Sequence, residues 1–533
     1  MADDETTSTA RSSVTVAVWT LVSRAAGLVR VLVIGALLGP TYFTNVFQAS
    51  YVLPNQVFTV MAGPVVGMVV VPSVVRAVTA GGVRHASEVM GRISGRMMAL
   101  ATIGALGLAL LSPALAWTLV FGVPEPDRQR AWLLCILLIL FVAPQVLLYV
   151  LAELGVAAQQ GRHRFALAAG APAVESVGTV VTLVVTAWIY GTGLEVSQVP
   201  LSMILMLGIG TTASAFVHAA LQVYGAQRVG VSLRPRRGWR EDTEARETLR
   251  RMVRSSPVAA GQALTDYFLT VVAATVPGGV LIVNLAYQVF SALSFVGTRA
   301  VSMAALPGLS VAAAVNDARR FGGSWRQGVF YALLAGIPLC ALLAVFADPT
   351  AGILAVGKLS EGPLIAELSA CLMIAAFAQL VSGIHDFARQ ALFARLDDRG
   401  PTLASMIALG TSTAVTASTL VLPADGTRLT GLLVALLAGE FAAAVTALSR
   451  LRAMMRPEAM IDRRDARIIV TATVAMLPVL AAGWWLLHTI DVSEGIQLAL
   501  LVGCGLATLV PYALVLYLSS ALPGVPRKRS RRR

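Results

Sequence analysis

Long apolar runs recur along the whole chain, broken by short polar turns. Runs of about twenty apolar residues carry a helix across the hydrocarbon core of a bilayer. They lie near 14–38, 46–75, 97–121, 131–153, 166–190, 200–224, 256–276, 279–315, 328–347, 365–388, 402–422, 429–449, 468–488 and 495–520. The pattern predicts an all-α, polytopic membrane protein with about 14 transmembrane helices. The pair 256–276 and 279–315 is the least clearly separated. The first run is expected to be retained as a span, because Met1 to Ser12 is acidic and Thr-rich and lacks the basic flank of a signal peptide.

Charge gives the spans a direction, since Lys and Arg stay preferentially in cytoplasmic loops. Of 41 basic residues, 34 fall in the two tails and in the loops after even-numbered spans. Only Arg128, Arg130, Lys358 and Arg428 fall on the opposite side, and Arg24, Arg30 and Arg299 lie within spans. Both termini are therefore expected in the cytoplasm.

Two turns hint at an internal repeat. Gln159-Gln160-Gly161-Arg162-His163-Arg164-Phe165 follows the fourth run, and Ala394-Arg395-Leu396-Asp397-Asp398-Arg399-Gly400-Pro401 follows the tenth. Arg164 and Arg399 are 235 positions apart, as are Pro72 and Pro307. A six-span duplication keeps the same orientation in both copies, and such parallel repeats hold substrate between them near the midplane. The expected organisation is a cytoplasmic tail (1–13), an N-lobe of spans one to six (14–224) and an amphipathic cytoplasmic linker (225–255). A C-lobe of spans seven to twelve (256–452), spans thirteen and fourteen (453–520) and a basic tail (521–533) follow. Two parallel six-helix repeats around a central cavity, plus two C-terminal helices, summarise that reading.

Composition removes several function classes. Hydrophobic residues make up 57% of the 533 positions and charged residues 13%, against about a quarter charged in soluble domains. Cys135, Cys340, Cys371 and Cys504 sit inside separate apolar runs, without disulfide or metal spacing. The net charge of +13 owes much to Arg527-Lys528-Arg529 and Arg531 to Arg533. These are expected to meet anionic membrane lipids, at about 1 kcal/mol per charge. No folded nucleic-acid module surrounds them. Gly352 to Lys358 fits the glycines and lysine of a phosphate loop, but Leu359 stands where Mg²⁺ needs a hydroxyl. Gly208-Ile209-Gly210 lies in an apolar run with no strand before it. Neither match points to an enzyme, and no cofactor is expected.

The chemistry then rests on the few charges inside spans, each costing at least about 2.5–3.5 kcal/mol on insertion scales. Two guanidiniums, Arg24 and Arg30, suit a phosphate-bearing ligand, because Arg forks bind phosphate oxygens bidentately. At about 100° per residue they point some 120° apart, so a wide cavity or a bend at Gly27 is needed to use both. The alternative is that Arg30 snorkels outward while Arg24 pairs with Asp266 or a helix carbonyl. Arg299 lies eleven residues after Gln288, which returns to nearly the same face and would line one wall at two depths; an interfacial Arg is the competing reading. Asp266 is the acidic residue best placed to serve as counter-ion or as a cation or proton site. Glu153, Glu175, Glu367, Asp386 and Glu440 lie nearer span ends, where headgroup contact is the commoner role. His218 and His385 read as packed polar residues.

The order of motifs resembles one family. Ser23-Arg24-Ala25-Ala26-Gly27-Leu28-Val29-Arg30 is similar to the S-R-x-x-G-x-x-R of span one in the MurJ/MviN lipid II flippases. Asn45 through Leu53-Pro54-Asn55, then Val71-Pro72, resemble its second span. Ala286 through Leu306-Pro307 resembles its eighth, and Phe165 to Pro172 and Phe393 to Pro401 its turns after spans four and ten. The family belongs to the multidrug/oligosaccharidyl-lipid/polysaccharide exporter superfamily. The resemblance implies a flippase that moves an undecaprenyl-pyrophosphate-linked peptidoglycan precursor to the outer leaflet by alternating access, in a bacterial plasma (inner) membrane. It implies a secondary-type transporter driven by membrane potential or a monovalent cation, with cell-wall synthesis proteins as expected partners. Arg24 and Arg30 match the family's cavity arginines, and Asn45 and Asn55 fall in its span-two motif. The chain departs where the family has an arginine after L-P-N (here Phe58 or Thr59), an acidic residue (Gly63), an aspartate (Asn45) and a span-eight arginine (Gln288). Those departures leave open a flippase for another polyprenyl-linked glycan, or a transport-inactive scaffold for cell-wall synthesis.

Overall fold

The computed structural model describes residues 2–61, 70–236, 243–314, 317–360, 364–397, 399–455, 459–490 and 494–519. Gly63, the residues Trp239 to Asp242 and the basic tail lie outside them. The described residues contain helices and no strand, and form two compact units. Unit 1 comprises Met1–Leu285 with Gly357–Leu359, and unit 2 comprises Ala286–Val356 with Ser360–Arg533.

Unit 1 contains α1 (Ala2–Leu38), α2 (Tyr42–Met61), α3 (Val71–Leu119), α4 (Glu125–Val142), α5 (Gln145–Gln160), the short α6 (Ala166–Gly170), α7 (Pro172–Tyr190), α8 (Leu201–Arg228) and α9 (Thr243–Ala273). Helix α10 (Gly279–Ser294) begins in it and crosses into unit 2. There follow a π turn (Phe295–Arg299), α11 (Ala300–Ala314), α12 (Ala318–Val345), α13 (Ala347–Leu354), α14 (Leu364–Ala394), α15 (Arg399–Ser418), α16 (Gly426–Met455), α17 (Arg463–Thr489) and α18 (Glu494–Leu518).

Among the described residues, 12 helical segments are long and apolar enough to cross a membrane. Two runs read as spans fall short of that apolar standard. Helix α2, which overlaps 46–75, buries Thr44, Asn45, Gln48 and Ser50, and α9, which covers most of 256–276, starts with a charged stretch and carries Asp266. Both spend polar residues on packing or chemistry, so their mean apolarity is diluted.

The expected interfacial helix in 225–255 is not a separate element. Helix α9 runs unbroken from Thr243 to Ala273; no glycine interrupts the sequence before position 261. The division between units falls at 285/286, not in that segment, because α9 packs on α2 and α3. The long α3 changes direction at Gly81 and Gly82, whose backbone leaves the helical region.

Close helix approach organises unit 1. A Cβ at Gly155 would lie 2.6 Å from the Gln222 carbonyl oxygen, and one at Gly178 would lie 2.5 Å from the Ser214 hydroxyl. Small residues therefore let α5 and α7 press against α8, as is usual where lipid supplies no hydrophobic drive between helices. Unit 2 is built around a larger aromatic nucleus. Trp325 and Phe387 stack at 4.9 Å between ring centroids, with Phe321, Leu392, Leu451 and Met455 buried around them. Helices α17 and α18 pack on α12 through Met476, Leu480 and Tyr512, whose hydroxyl donates to the Leu334 carbonyl at 3.0 Å.

The two turns that suggested a repeat share one backbone motif. After α5, the Arg164 N–H bonds back to the Gln159 carbonyl and His163 has φ +55°. After α14, the Asp397 N–H bonds back to the Leu392 carbonyl and Leu396 has φ +59°. Both are Schellman-type helix ends with a non-glycine residue in the left-handed position. The structural match sets His163 against Leu396, two positions from the offset of 235 read in the sequence.

Candidate functional site

Unit 1 gathers four polar side chains, from four helices, around one buried carboxylate on a fifth. Glu175, on the first turn of α7, is 7% exposed and His218, on α8, is 8% exposed. The His218 Nδ1 lies 2.9 Å from Glu175 Oε2. The other oxygen, Oε1, accepts from the Tyr149 hydroxyl of α5 at 2.8 Å and from the Tyr51 hydroxyl of α2 at 3.3 Å. Tyr51 in turn accepts from Arg30 Nη1 at 2.7 Å, and the guanidinium sits over the Tyr51 ring at 4.9 Å from its centroid. Gln145 extends the network, donating to the Thr212 hydroxyl at 2.9 Å. Every acceptor lone pair of a buried carboxylate that finds a donor reduces the cost of keeping it in a low-dielectric interior. Glu175 has donors on both oxygens.

Arg30 is thus held by a neutral hydroxyl rather than by a direct carboxylate partner. The negative charge that balances it is one residue further away, behind Tyr51. That arrangement fixes the guanidinium without neutralising it through a bidentate salt bridge, which is what a phosphate-binding arginine requires. Helix α1 runs continuously through Gly27, so no bend brings Arg24 onto the stripe of Arg30. Arg24 lies half-buried on the same helix.

Asn45 has a different occupation. Its Nδ2 donates to the Val276 carbonyl at 2.6 Å and to Ala274 at 3.3 Å, and its Oδ1 accepts from the Val280 N–H at 3.0 Å. The amide ties α2 to the turn between α9 and α10. Asn284 donates to Gln48 at 3.2 Å just below. Asn55 is exposed on α2, and Asp266 is half-buried on α9.

Gln288 and Arg299 belong to unit 2. The π turn at Phe295–Arg299 separates them. A π turn takes up an extra residue, so the eleven-residue spacing no longer returns both side chains to one stripe. Thr298 within it is fully buried, seated where Gly336 and Gly383 leave room. Arg299 is exposed.

Unit 2 has its own carboxylate–imidazole pair, His385 Nδ1 to Glu440 Oε2 at 2.9 Å, with the Glu440 side chain 24% exposed. Asp386 pairs along its own helix with Arg389 and Gln390. Outside the spans, Asp397 accepts from Arg450 through both oxygens and from the Gly400 N–H. The Arg450 hydrogen bonds hold the Asp397 carboxyl below the usual aspartate range. No cluster of metal-ligating side chains occurs among the described residues.

The sequence singled out Arg30 but not Tyr51 or Tyr149. One signal was present: Thr44, Gln48, Tyr51 and Asn55 recur at helical spacing, a polar stripe on α2. Nothing in the sequence joins Glu175 to His218, 43 positions apart.

The family model described as lipid II flippase MurJ matches residues 34–503. Among solved structures, a lipid II flippase MurJ in an inward closed conformation aligns with a TM-score of 0.73 at 13% identity, covering 96% of this chain and 100% of that one. An inward-facing MATE family multidrug resistance transporter of the MOP superfamily aligns with a TM-score of 0.63 at 14% identity, over 83% of this chain and 96% of its own. An outward-facing MATE transporter gives 0.56 at 14% identity, over 83% and 95%. At these identities the likeness is one of fold, and it includes relatives in opposite states of access.

Proposed function

The chain belongs to the lipid II flippase MurJ family, and we propose on that premise that it carries lipid II, a polyprenyl-pyrophosphate-linked peptidoglycan precursor, from the inner to the outer leaflet. The carrier works by alternating access, presenting the bound headgroup first to one face of the membrane and then to the other. The observation that carries this reading is Arg30: a guanidinium inside a span, oriented by Tyr51 and left without a bidentate carboxylate. Its role is to bind a pyrophosphate oxygen while the polyprenyl tail stays in lipid. Arg24, two turns earlier on α1, supplies the second positive charge.

The protein sits in the bacterial plasma membrane with both termini in the cytoplasm, as the loop charges favour. Its basic tail rests on anionic lipid, and cell-wall synthesis proteins are its neighbours. The cycle is of the secondary type, drawing on membrane potential or a monovalent cation, with Asp266 as one acidic position for it.

Complementation tests the assignment. Expression in cells depleted of their essential lipid II flippase should restore growth, and Arg24→Ala or Arg30→Ala should not, with the variants still present in the membrane. Failure of the wild-type chain to rescue would instead favour a different polyprenyl-linked glycan, or a scaffold role. The departures at Phe58, Thr59 and Gln288 are the features that make that second reading worth testing.

A further inference from the structure

We propose that the Glu175–His218 pair is a proton-binding site linked to anion binding at Arg30, so that the carrier takes up one proton with its pyrophosphate cargo. The proposal rests on the reading of Arg30 as a headgroup ligand.

The geometry separates two kinds of atom. Both Glu175 oxygens are engaged by Tyr51, Tyr149 and His218 Nδ1. The opposite imidazole nitrogen, His218 Nε2, is buried and has no hydrogen-bond partner among the described residues. With Nδ1–H donated to the carboxylate, Nε2 carries a lone pair that no neighbouring group uses. It is an unused acceptor in a network whose other open atom, Arg30 Nε, is a donor, and a proton from water that binds at Nε2 breaks no existing bond. The imidazolium so formed keeps its Nδ1–H on Glu175.

The charge count then changes in the direction the cargo needs. Arg30 is positive and Glu175 negative, so with neutral His218 the hydrogen-bonded cluster of Arg30, Tyr51, Tyr149, Glu175 and His218, which does not include Glu153, has no net charge. Protonation of Nε2 raises it to plus one. The titratable or charged groups facing the pair are Arg30 from α1, Tyr51 from α2, Tyr149 from α5 and, acting electrostatically on His218, Glu153 from α5. Glu153 favours the protonated imidazole. Arg30 opposes it until an anionic headgroup covers the guanidinium. Anion and proton therefore favour each other's binding, and the coupling is reciprocal. Tyr51 is the link, because it touches both Arg30 and Glu175.

The pair in unit 2 lacks this connection: the Glu440 side chain is more exposed than that of Glu175, and no arginine is joined to it through a tyrosine among the described residues. Proton linkage is therefore assigned to unit 1.

The test is calorimetry on the full chain in lipid nanodiscs. The probe is a short-chain, water-soluble prenyl-pyrophosphoryl disaccharide, whose pyrophosphate is a diester and does not itself titrate near neutrality. Binding heats in two buffers of different ionisation enthalpy report the protons taken up. Wild type should take up about one proton per probe, and affinity should rise by up to about tenfold per pH unit on acidification. His218→Gln keeps a donor toward Glu175 but has no second basic nitrogen, and should take up none. Zero uptake by wild type, or unchanged uptake by H218Q, overturns the proposal. If H218Q does not fold, the wild-type buffer comparison decides alone.

If the probe fails to bind at any pH, the headgroup reading of Arg30 has failed, and a separate measurement judges the proton site. In nitrogen-15 spectra of histidine-labelled protein, His218 should pass from an imidazole protonated at Nδ1 alone to the imidazolium as the solution is acidified. An imidazole that keeps one state at every pH at which the protein stays folded overturns the site itself.

Discussion

Each unit of this protein sets a glutamate against a histidine at the same 2.9 Å separation, yet the two pairs are built differently. In unit 1, Glu175 is enclosed by two tyrosines and reaches an intramembrane arginine through one of them. In unit 2, Glu440 meets His385 with a quarter of its side chain exposed. The turns after α5 and α14 repeat the contrast. Their backbones follow the same motif, but unit 1 secures the turn with a buried amide pair, Gln159 Nε2 to Gln222 Oε1 at 2.7 Å. Unit 2 secures it with the ion pair of Asp397 and Arg450. The turn backbones match, while the polar contacts that secure them differ.

Removing the two glutamates should expose the difference most strongly. Glu175→Ala strands a buried histidine and removes the charge behind Arg30, at a cost of about 3–5 kcal/mol and with loss of flipping. Glu440→Ala should cost about 1–3 kcal/mol and retain measurable flipping. Equal losses in stability and transport would erase the distinction between the units. Thermal unfolding in detergent and rescue of depleted cells supply the two readouts.

A smaller effect is expected at the turns. Gln159→Leu leaves the Gln222 amide oxygen without its donor and should cost about 1–3 kcal/mol, with little dependence on pH. The unit 2 turn should instead respond to acid. The Asp397 carboxyl is held below its ordinary value by Arg450, so its contribution is complete above about pH 3.9 and is lost as pH falls through the lowered folded value. Asp397→Asn should flatten the acid limb of a stability–pH profile while Gln159→Leu leaves it intact; identical profiles would contradict the account.

The smallest effect concerns the left-handed residues. Leu396→Gly should stabilise by up to about 1 kcal/mol, because glycine relieves the Cβ strain of that conformation. His163→Gly should gain less, since His163 also packs edge-on against Phe165 at 6.4 Å. A loss of stability at Leu396 would show that its side chain has a role the strain argument misses.

The membrane-spanning character was legible from apolar periodicity, since lipid permits few alternatives to helices. The likeness of the two turns was legible, because left-handed helix ends depend on local sequence, although the offset read from it was not the one the backbones share. Two spans were harder to weigh: α2 and α9 carry the polar residues that anchor turns or sit in the site, so composition understates them. The later part of 225–255 continues into α9, because charge and amphipathicity do not mark where a helix stops. In the site, Arg30 could be found by its cost in lipid. Glu175 and His218 could not, because each lies in a separate span and only packing of α7 against α8 makes them a pair. Asn45 shows the converse, a polar residue in a recognisable motif whose amide is committed to the α9–α10 turn.

The central claim is that Arg30, held by Tyr51 in front of Glu175, binds the headgroup during flipping. Its most direct measurement is the amount of lipid II exposed at the outer leaflet of flippase-depleted cells, read by a membrane-impermeant reagent that cleaves only external lipid II. Wild-type chain should restore exposure, and Arg30→Ala at equal membrane abundance should leave it at the depleted level. Full exposure with Arg30→Ala would contradict the account.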